Sequence, residues 1–116
     1  MIRRINIKDD HPPVDIAVSR ALSEIECSVL QKEPFLKIIH GYGSGGTGGE
    51  IKKQLHIELN NLKKSKKIFD YIKGEAFHSR HPLYENAIKV SPELVLDPDL
   101  VNLNSGITLI IIDKLK

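Results

Sequence analysis

Apolar residues follow two different periods along this chain, and together they predict alternating strands and helices. They recur every three or four positions from Val14 to about Lys32 and again from about Glu50 to Lys64, as in amphipathic helices. Short β-branched or apolar runs predict four strands, at 2–8, 35–39, 68–72 and 107–112. Because helices that connect strands must cover the sheet, the order β-α-β-α-β-β predicts a two-layer α/β domain.

The segment at about 74–106 has no clear period. It contains Pro82, Pro92 and Pro98, and it is much longer than an ordinary loop. We expect a functional flap, a set of short elements or partial disorder there. Within it, an apolar stretch at 94–101 must either pack on the core or meet a protein partner, such as a second copy of the chain.

Composition narrows the class of protein. The 116 residues fit one domain, 1–116, and the hydrophobic (41%) and charged (28%) fractions are typical of globular rather than disordered or fibrous chains. No apolar run approaches the roughly 20 residues that span a bilayer, and the first residues lack a secretory signal. The single cysteine, Cys27, excludes an internal disulfide. We therefore predict a cytoplasmic protein with no membrane partner.

Positive charge is concentrated in the middle of the chain. Residues 50–74 contain 7 lysines and 3 acidic residues, whereas the formal net charge of the whole chain is only +2. Such a patch attracts phosphates, although a run of lysines is also typical of a solvated helix face.

The most informative pattern is a glycine-rich turn between the second strand and the second helix. Six of the ten residues from His40 to Gly49 are glycine. Glycines let backbone N–H groups approach a ligand, and a helix N-terminus attracts anions, so the turn predicts a phosphate site. Hydroxyls at Ser44 and Thr47 and the cations Lys52 and Lys53 would add contacts.

Two better-known glycine motifs fit less well. No Lys-Ser or Lys-Thr pair follows the glycines, which excludes a P-loop. A dinucleotide pattern does occur, but the chain is too short for two nucleotide-binding halves. A small-molecule phosphate or nucleotide site and a plain flexible turn both remain open.

The turn resembles the signature of the small MutS-related (Smr) domain family. That family carries HGxG[ST]G after its second strand, a basic residue on the next helix and G-x-T in its last strand; here these are His40–Gly45, Lys52 and Gly106–Thr108. The resemblance implies a fold like the C-terminal domain of translation initiation factor 3, with a four-stranded mixed sheet and two helices on one face. It also implies DNA or RNA binding and, in many members, a metal-dependent endonuclease (hydrolase) activity.

The first strand departs from this family, whose LDLHG motif is replaced by Ile5–Asp9, with Asn6 and Lys8 at the Asp and His positions. We therefore expect binding more than cleavage. If the protein cleaves, His40 is the candidate for proton transfer, and Asp9 or Asp10 would hold Mg²⁺ or Mn²⁺. The predicted phosphate contacts are Lys8, Gly41, Tyr42, Gly43, Ser44, Gly45, Thr47, Lys52 and Lys53. The alternatives are a small-molecule phosphate binder and a protein-interaction module.

Overall fold

The computed structural model describes residues 2–41 and 47–114, and its elements follow the predicted order. Six of them were expected from the sequence: β1 (Arg3–Asn6), α1 (Val14–Leu30), β2 (Phe35–Ile39), α2 (Thr47–Lys64), β3 (Asp70–Lys73) and β4 (Ile107–Ile111). The strand predicted at 68–72 begins two residues later and ends one residue later. The second helix begins three residues earlier than predicted, so Lys52 and Lys53 lie in its second turn rather than its first.

The four strands form one mixed sheet in the order β1-β2-β4-β3. β1 and β2 are parallel, and β4 is antiparallel to both of its neighbours. Consequently β1, β2 and β3 end, and β4 begins, at the same side of the sheet. We call this side the carboxyl edge.

The sheet is covered on both faces, so the predicted two-layer arrangement is incomplete. The two long helices pack on one face as predicted, through Ala17, Ala21, Ile25, Ile51, Leu55 and Leu59. The 74–106 segment covers the other face through Phe77, Ala87, Leu94 and Leu100. The physical reason is that the central strands β2 and β4 carry apolar side chains on both faces, and one layer of helices can bury only one of them.

The 74–106 segment consists of short elements, one of the three outcomes expected for it. It contains 3₁₀ turns at Gly74–Ala76 and Pro92–Leu96, and two short helices, α3 (Tyr84–Val90) and α4 (Pro98–Val101). The apolar stretch at 94–101 divides: Leu94 and Leu100 are buried, whereas Leu96 and Val101 are 78% and 58% exposed.

A buried ion pair anchors this segment to the sheet. Lys37 lies in the middle of β2, and its Nζ is 2.9 Å from Asp97 and 2.7 Å from Asp99. Asp97 also caps α4, because its side chain accepts the N–H groups of Asp99 and Leu100. No helix in the described part of the chain is long and apolar enough to cross a membrane.

Candidate functional site

The first two residues of the predicted phosphate-binding turn, His40 and Gly41, lie at the carboxyl edge next to the start of β4. The N–H groups of His40 and Gly41 both donate to the carbonyl of Gly106, at 2.9 and 3.0 Å. Gly41 has a φ of 77°, a backbone conformation that favours glycine. The beginning of the glycine-rich turn is therefore fixed by the strand that lies beside it.

His40 is fully buried at this edge, and both of its ring nitrogens are engaged. Nδ1 is 2.7 Å from the carbonyl oxygen of Gly41, and Nε2 is 2.8 Å from Oγ1 of Thr108. A carbonyl can only accept, so Nδ1 carries the proton. In the neutral ring Nε2 must then accept from the Thr108 hydroxyl.

A second histidine completes this network. Nε2 of His56, on α2, also lies 2.8 Å from Oγ1 of Thr108. Because the threonine proton points to His40, the threonine oxygen accepts the N–H of His56. The result is a directional chain of hydrogen bonds from α2, through β4, to the first carbonyl of the glycine-rich turn.

The network continues on the other side of His56 by ring contacts. The His56 ring stacks on Tyr71 of β3 with centroids 5.2 Å apart, and it meets His40 edge to face at 5.8 Å. The Tyr71 hydroxyl donates to Oδ1 of Asn60, at 2.9 Å, one helical turn beyond His56. Side chains from β2, β3, β4 and α2 therefore hold each other in place beneath the carboxyl edge.

Burial keeps both histidines neutral near physiological pH. Loss of hydration lowers the pKa of His40 to about 4, even though the hydrogen bond to Gly41 acts to raise it. The same cause, followed by repulsion from His40, Lys73 and Lys52, lowers the pKa of His56 to about 4. Neither ring therefore supplies positive charge for a phosphate, and proton transfer by His40 would require it to give up one of its two partners.

Lys52 lies at the carboxyl edge but already has partners. Its Nζ is 2.8 Å from a carboxylate oxygen of Glu75 and 2.9 Å from the carbonyl oxygen of Ser105. Burial is the largest influence on the pKa of Glu75 and acts to raise it. The hydrogen bond from Lys52, a backbone hydrogen bond and the charges of Lys52 and Lys73 together outweigh burial, so the net shift is downward. To contact a phosphate, Lys52 would exchange Glu75 for it. Lys53 is exposed and has no ion-pair partner among the described residues.

The turn after β1 brings Lys8, Asp9 and Asp10 to the same edge. Oδ1 of Asn6 accepts the N–H groups of Lys8 and Asp9 at 3.0 and 3.1 Å, so Asn6 shapes the turn. Lys8, Asp9 and Asp10 are all exposed, and Lys8 lies 3.7 Å from the Asp9 carboxylate. Among the described residues, no group of three or more His, Cys, Asp or Glu side chains could hold a metal ion.

Four predicted contacts, Tyr42, Gly43, Ser44 and Gly45, lie outside the described residues. Thr47 is the first residue of α2, and its side chain is likewise outside what the structure describes. The described structure thus brings together Lys8, His40, Gly41 and Lys52 at one edge.

Sequence reasoning did not select His56 as a site residue. The available signal was its position on α2, next to the apolar stripe of Leu55 and Leu59 and four residues after Lys52. Thr108 is part of the G-x-T motif of the last strand, but the sequence does not indicate that it links two histidines.

Comparison with known proteins gives no relative. No protein-family model matches the chain, and no curated protein or solved structure is significantly similar to it. Inference about the site therefore depends on its residues.

Proposed function

We propose that this protein binds the phosphate backbone of DNA or RNA at the carboxyl edge. The observation that supports the proposal most strongly is that three phosphate-binding features lie together at this one edge. The Lys8 turn, the entry to the glycine-rich turn at Gly41 and the first turns of the 18-residue α2 all meet there. Backbone N–H groups, a helix N-terminus and exposed cations are the groups that bind phosphate oxygens.

The resemblance to the Smr family supports the same proposal. Its two motif halves, at His40 and Thr108, are 68 residues apart in sequence and meet in a 2.8 Å hydrogen bond. The mixed sheet with two long helices on one face is also the arrangement that the resemblance implies, and we propose the initiation-factor-like fold on that basis.

We limit the proposed function to binding. His40 is buried and neutral, and Lys8 replaces the first-strand histidine of the family's motif. In this proposal His40 positions the glycine-rich turn through the carbonyl of Gly41 and does not transfer a proton.

The test is an anisotropy titration of labelled duplex and single-stranded DNA and RNA. The double variant Lys8→Gln/Lys53→Gln removes two exposed cations near the edge, and it should weaken binding at least about fivefold. Arg20→Gln/Lys32→Gln removes the same charge from α1 and its end and should change affinity less than twofold. Equal losses in the two variants would contradict a site at the carboxyl edge.

A denaturing gel of the same mixtures with Mg²⁺ or Mn²⁺ tests cleavage separately. Intact nucleic acid agrees with a binding protein. Cleavage that is lost in His40→Ala would show that the protein is a nuclease. His40 would then take part in the reaction as well as position the turn.

The protein-interaction alternative retains one supporting observation, the exposure of Leu96 and Val101 next to the buried Leu94 and Leu100. Sedimentation velocity over a range of protein concentrations tests it. A dimer that is lost in Leu96→Ser would favour this alternative, and a monomer at all concentrations would remove self-association.

A further inference from the structure

A polar cavity lies alongside α2 and β3. It has a volume of about 300 Å³ and opens beside β3, which is an outer strand of the sheet. Its lining comes from α2, β3 and the following segment: Asn60, Lys63, Asp70, Tyr71, Lys73, Ala76 and His81. We call this cavity the β3 groove. Its volume is at the lower end of the range of small-ligand sites.

The hydrogen bonds around the β3 groove leave mainly donors for a ligand. Nδ1 of His81 accepts the N–H of Leu83 at 3.1 Å, so the proton of this neutral ring is on Nε2. Oδ1 of Asn60 accepts the Tyr71 hydroxyl, which leaves the NH₂ group of the amide as a donor. Lys63 and Lys73 add two ammonium groups, which can only donate.

Asp70 is the one acidic residue in this lining, and it is already engaged. Its Oδ1 accepts the N–H of Tyr71 at 2.7 Å and lies 3.3 Å from Nζ of Lys63. It therefore offsets one of the two lysine charges, while Lys73 has no ion pair within the described part of the chain. A lining with excess donors and a net positive charge suits an oxyanion rather than a cation.

The β3 groove also continues the positive surface of α2. Lys63, Lys64, Lys66 and Lys67 are exposed at the end of this helix. A helix of 18 residues is about 27 Å long, which corresponds to about eight base steps of a duplex at 3.4 Å each. One nucleic acid could therefore contact the carboxyl edge and the lysines at the other end of α2 together.

We infer that the β3 groove is a second phosphate site that holds the backbone of the same nucleic acid further along its length. This inference rests on the proposed function. It assigns Lys63, Lys73, Asn60 and His81 as contacts, and it makes α2 the element along which the backbone runs.

The first experiment measures the salt dependence of binding for Lys63→Gln/Lys73→Gln. The probe is a fluorescein-labelled DNA duplex of about eight base pairs or more. Because each lost phosphate contact lowers the slope of log K against log salt by about 0.9, the variant slope should be shallower by up to about 1.8. Affinity should fall at least about fivefold, and Arg20→Gln/Lys32→Gln should retain the wild-type slope.

The second experiment tests whether the group that binds in the β3 groove is negatively charged, by changing the charge at Asp70 and Asn60. Asp70→Asn removes a negative charge from the groove, so it should tighten duplex binding about twofold or more. Asn60→Asp adds one and should weaken it. Each variant keeps the side-chain shape, and thermal unfolding checks that each is folded.

Three results would overturn the inference. If wild-type protein binds neither DNA nor RNA, duplex or single-stranded, at low salt, the proposed function fails and the inference fails with it. If wild-type protein binds but the lysine pair behaves like the control pair, the carboxyl-edge proposal survives and the β3 groove is not a contact. If Asp70→Asn weakens binding, the groove does not receive an anion.

Discussion

Thr108 is the residue on which the candidate site depends most. Its single hydroxyl donates to His40 and accepts from His56, both at 2.8 Å. It is fully buried in β4, so water cannot replace it. One side chain therefore connects the second strand, the fourth strand and α2 beneath the glycine-rich turn.

Replacing Thr108 by valine should break this connection without changing its shape. Nε2 of His40 and the N–H of His56 would lose their partner, which costs about 1–3 kcal/mol for a buried polar group. Chemical denaturation measures this loss. Thr108→Ser keeps the hydroxyl and should lose less stability than Thr108→Val. Equal losses would show that the methyl group, and not the hydrogen bonds, is what matters.

The buried His40 and the half-buried His56 predict how stability depends on pH. Their pKa is about 4 in the folded protein and about 6.5 when unfolded. The unfolded chain therefore binds protons first, and the stabilisation present above pH 6.5 is lost as the pH falls towards 4. For His40 the loss reaches up to about 3 kcal/mol, and for the partly exposed His56 it is smaller.

Denaturation midpoints between pH 7.5 and 4 test this prediction. His56→Gln should flatten part of the decline, because one of the two groups no longer takes up a proton on unfolding. His11→Gln, at an exposed position, should leave the decline unchanged. Stability that does not change from pH 6.5 to 4 would contradict buried neutral histidines.

At this scale the sequence shows the residue types of the candidate site but not the contacts between them. The motif at His40 and Gly41 is local, so its residue types and spacing are visible in the chain. The bond from His40 to Thr108 depends on β2–β4 register, where Thr108 is opposite Ile38. Local periodicity does not contain strand register, so this contact could not be predicted.

Among the elements, the 74–106 segment is the one that the sequence determined least, because a flap, a set of short elements and partial disorder all remained open and the structure shows short elements. It lacks a period because its pieces are too short to show one: α3 has seven residues and α4 has four. They are held by apolar packing on the sheet and, at α4, by the ion pairs of Lys37. The element order, in contrast, was predictable because the two long helices carry several turns of apolar stripe.

The start of α2 also differs from its predicted position. Gly48 and Gly49 are poor helix formers and were assigned to the turn, yet both lie in the first turn of the helix. The apolar residues that follow, beginning at Ile51, pack on the sheet and extend the helix backwards. Tertiary packing outweighs local propensity here.

Lys37→Met should loosen the 74–106 segment. It leaves Asp97 and Asp99 without their cation, and we expect a loss of about 1–3 kcal/mol because both carboxylates are partly exposed and can be hydrated. Amide exchange should increase most in 92–104. Lys32→Met at an exposed position is the control. Unchanged exchange in 92–104 would show that the ion pair does not anchor the segment.

Gly74→Ala should be more disruptive than its small size suggests. A Cβ at this position would lie 1.9 Å from the carbonyl oxygen of Asn104 and 2.9 Å from Ile107. Either the start of the segment or the entry to β4 must move, so the thermal midpoint should fall by several degrees. A midpoint equal to that of the wild type would show that these two backbones separate easily.

At the scale of the whole molecule, the two faces of the sheet are covered by different parts of the chain. One face carries α1 and α2, and thus the candidate phosphate sites at both ends of α2 and along the β3 groove. The other face is closed by the 74–106 segment, which also contributes Glu75, His81 and Ser105 to the side of the sites. The segment is therefore part of the proposed interface as well as of the core.

The most direct test is the affinity of the wild-type protein for duplex DNA and RNA as a function of salt. Binding through the carboxyl edge and along α2 involves several phosphates, so log K should fall against log salt with a slope of about −3 or steeper. No binding at about 50 mM salt, or a slope no steeper than about −1, would contradict a nucleic-acid interface along α2. The shallow slope would instead indicate a ligand with a single phosphate.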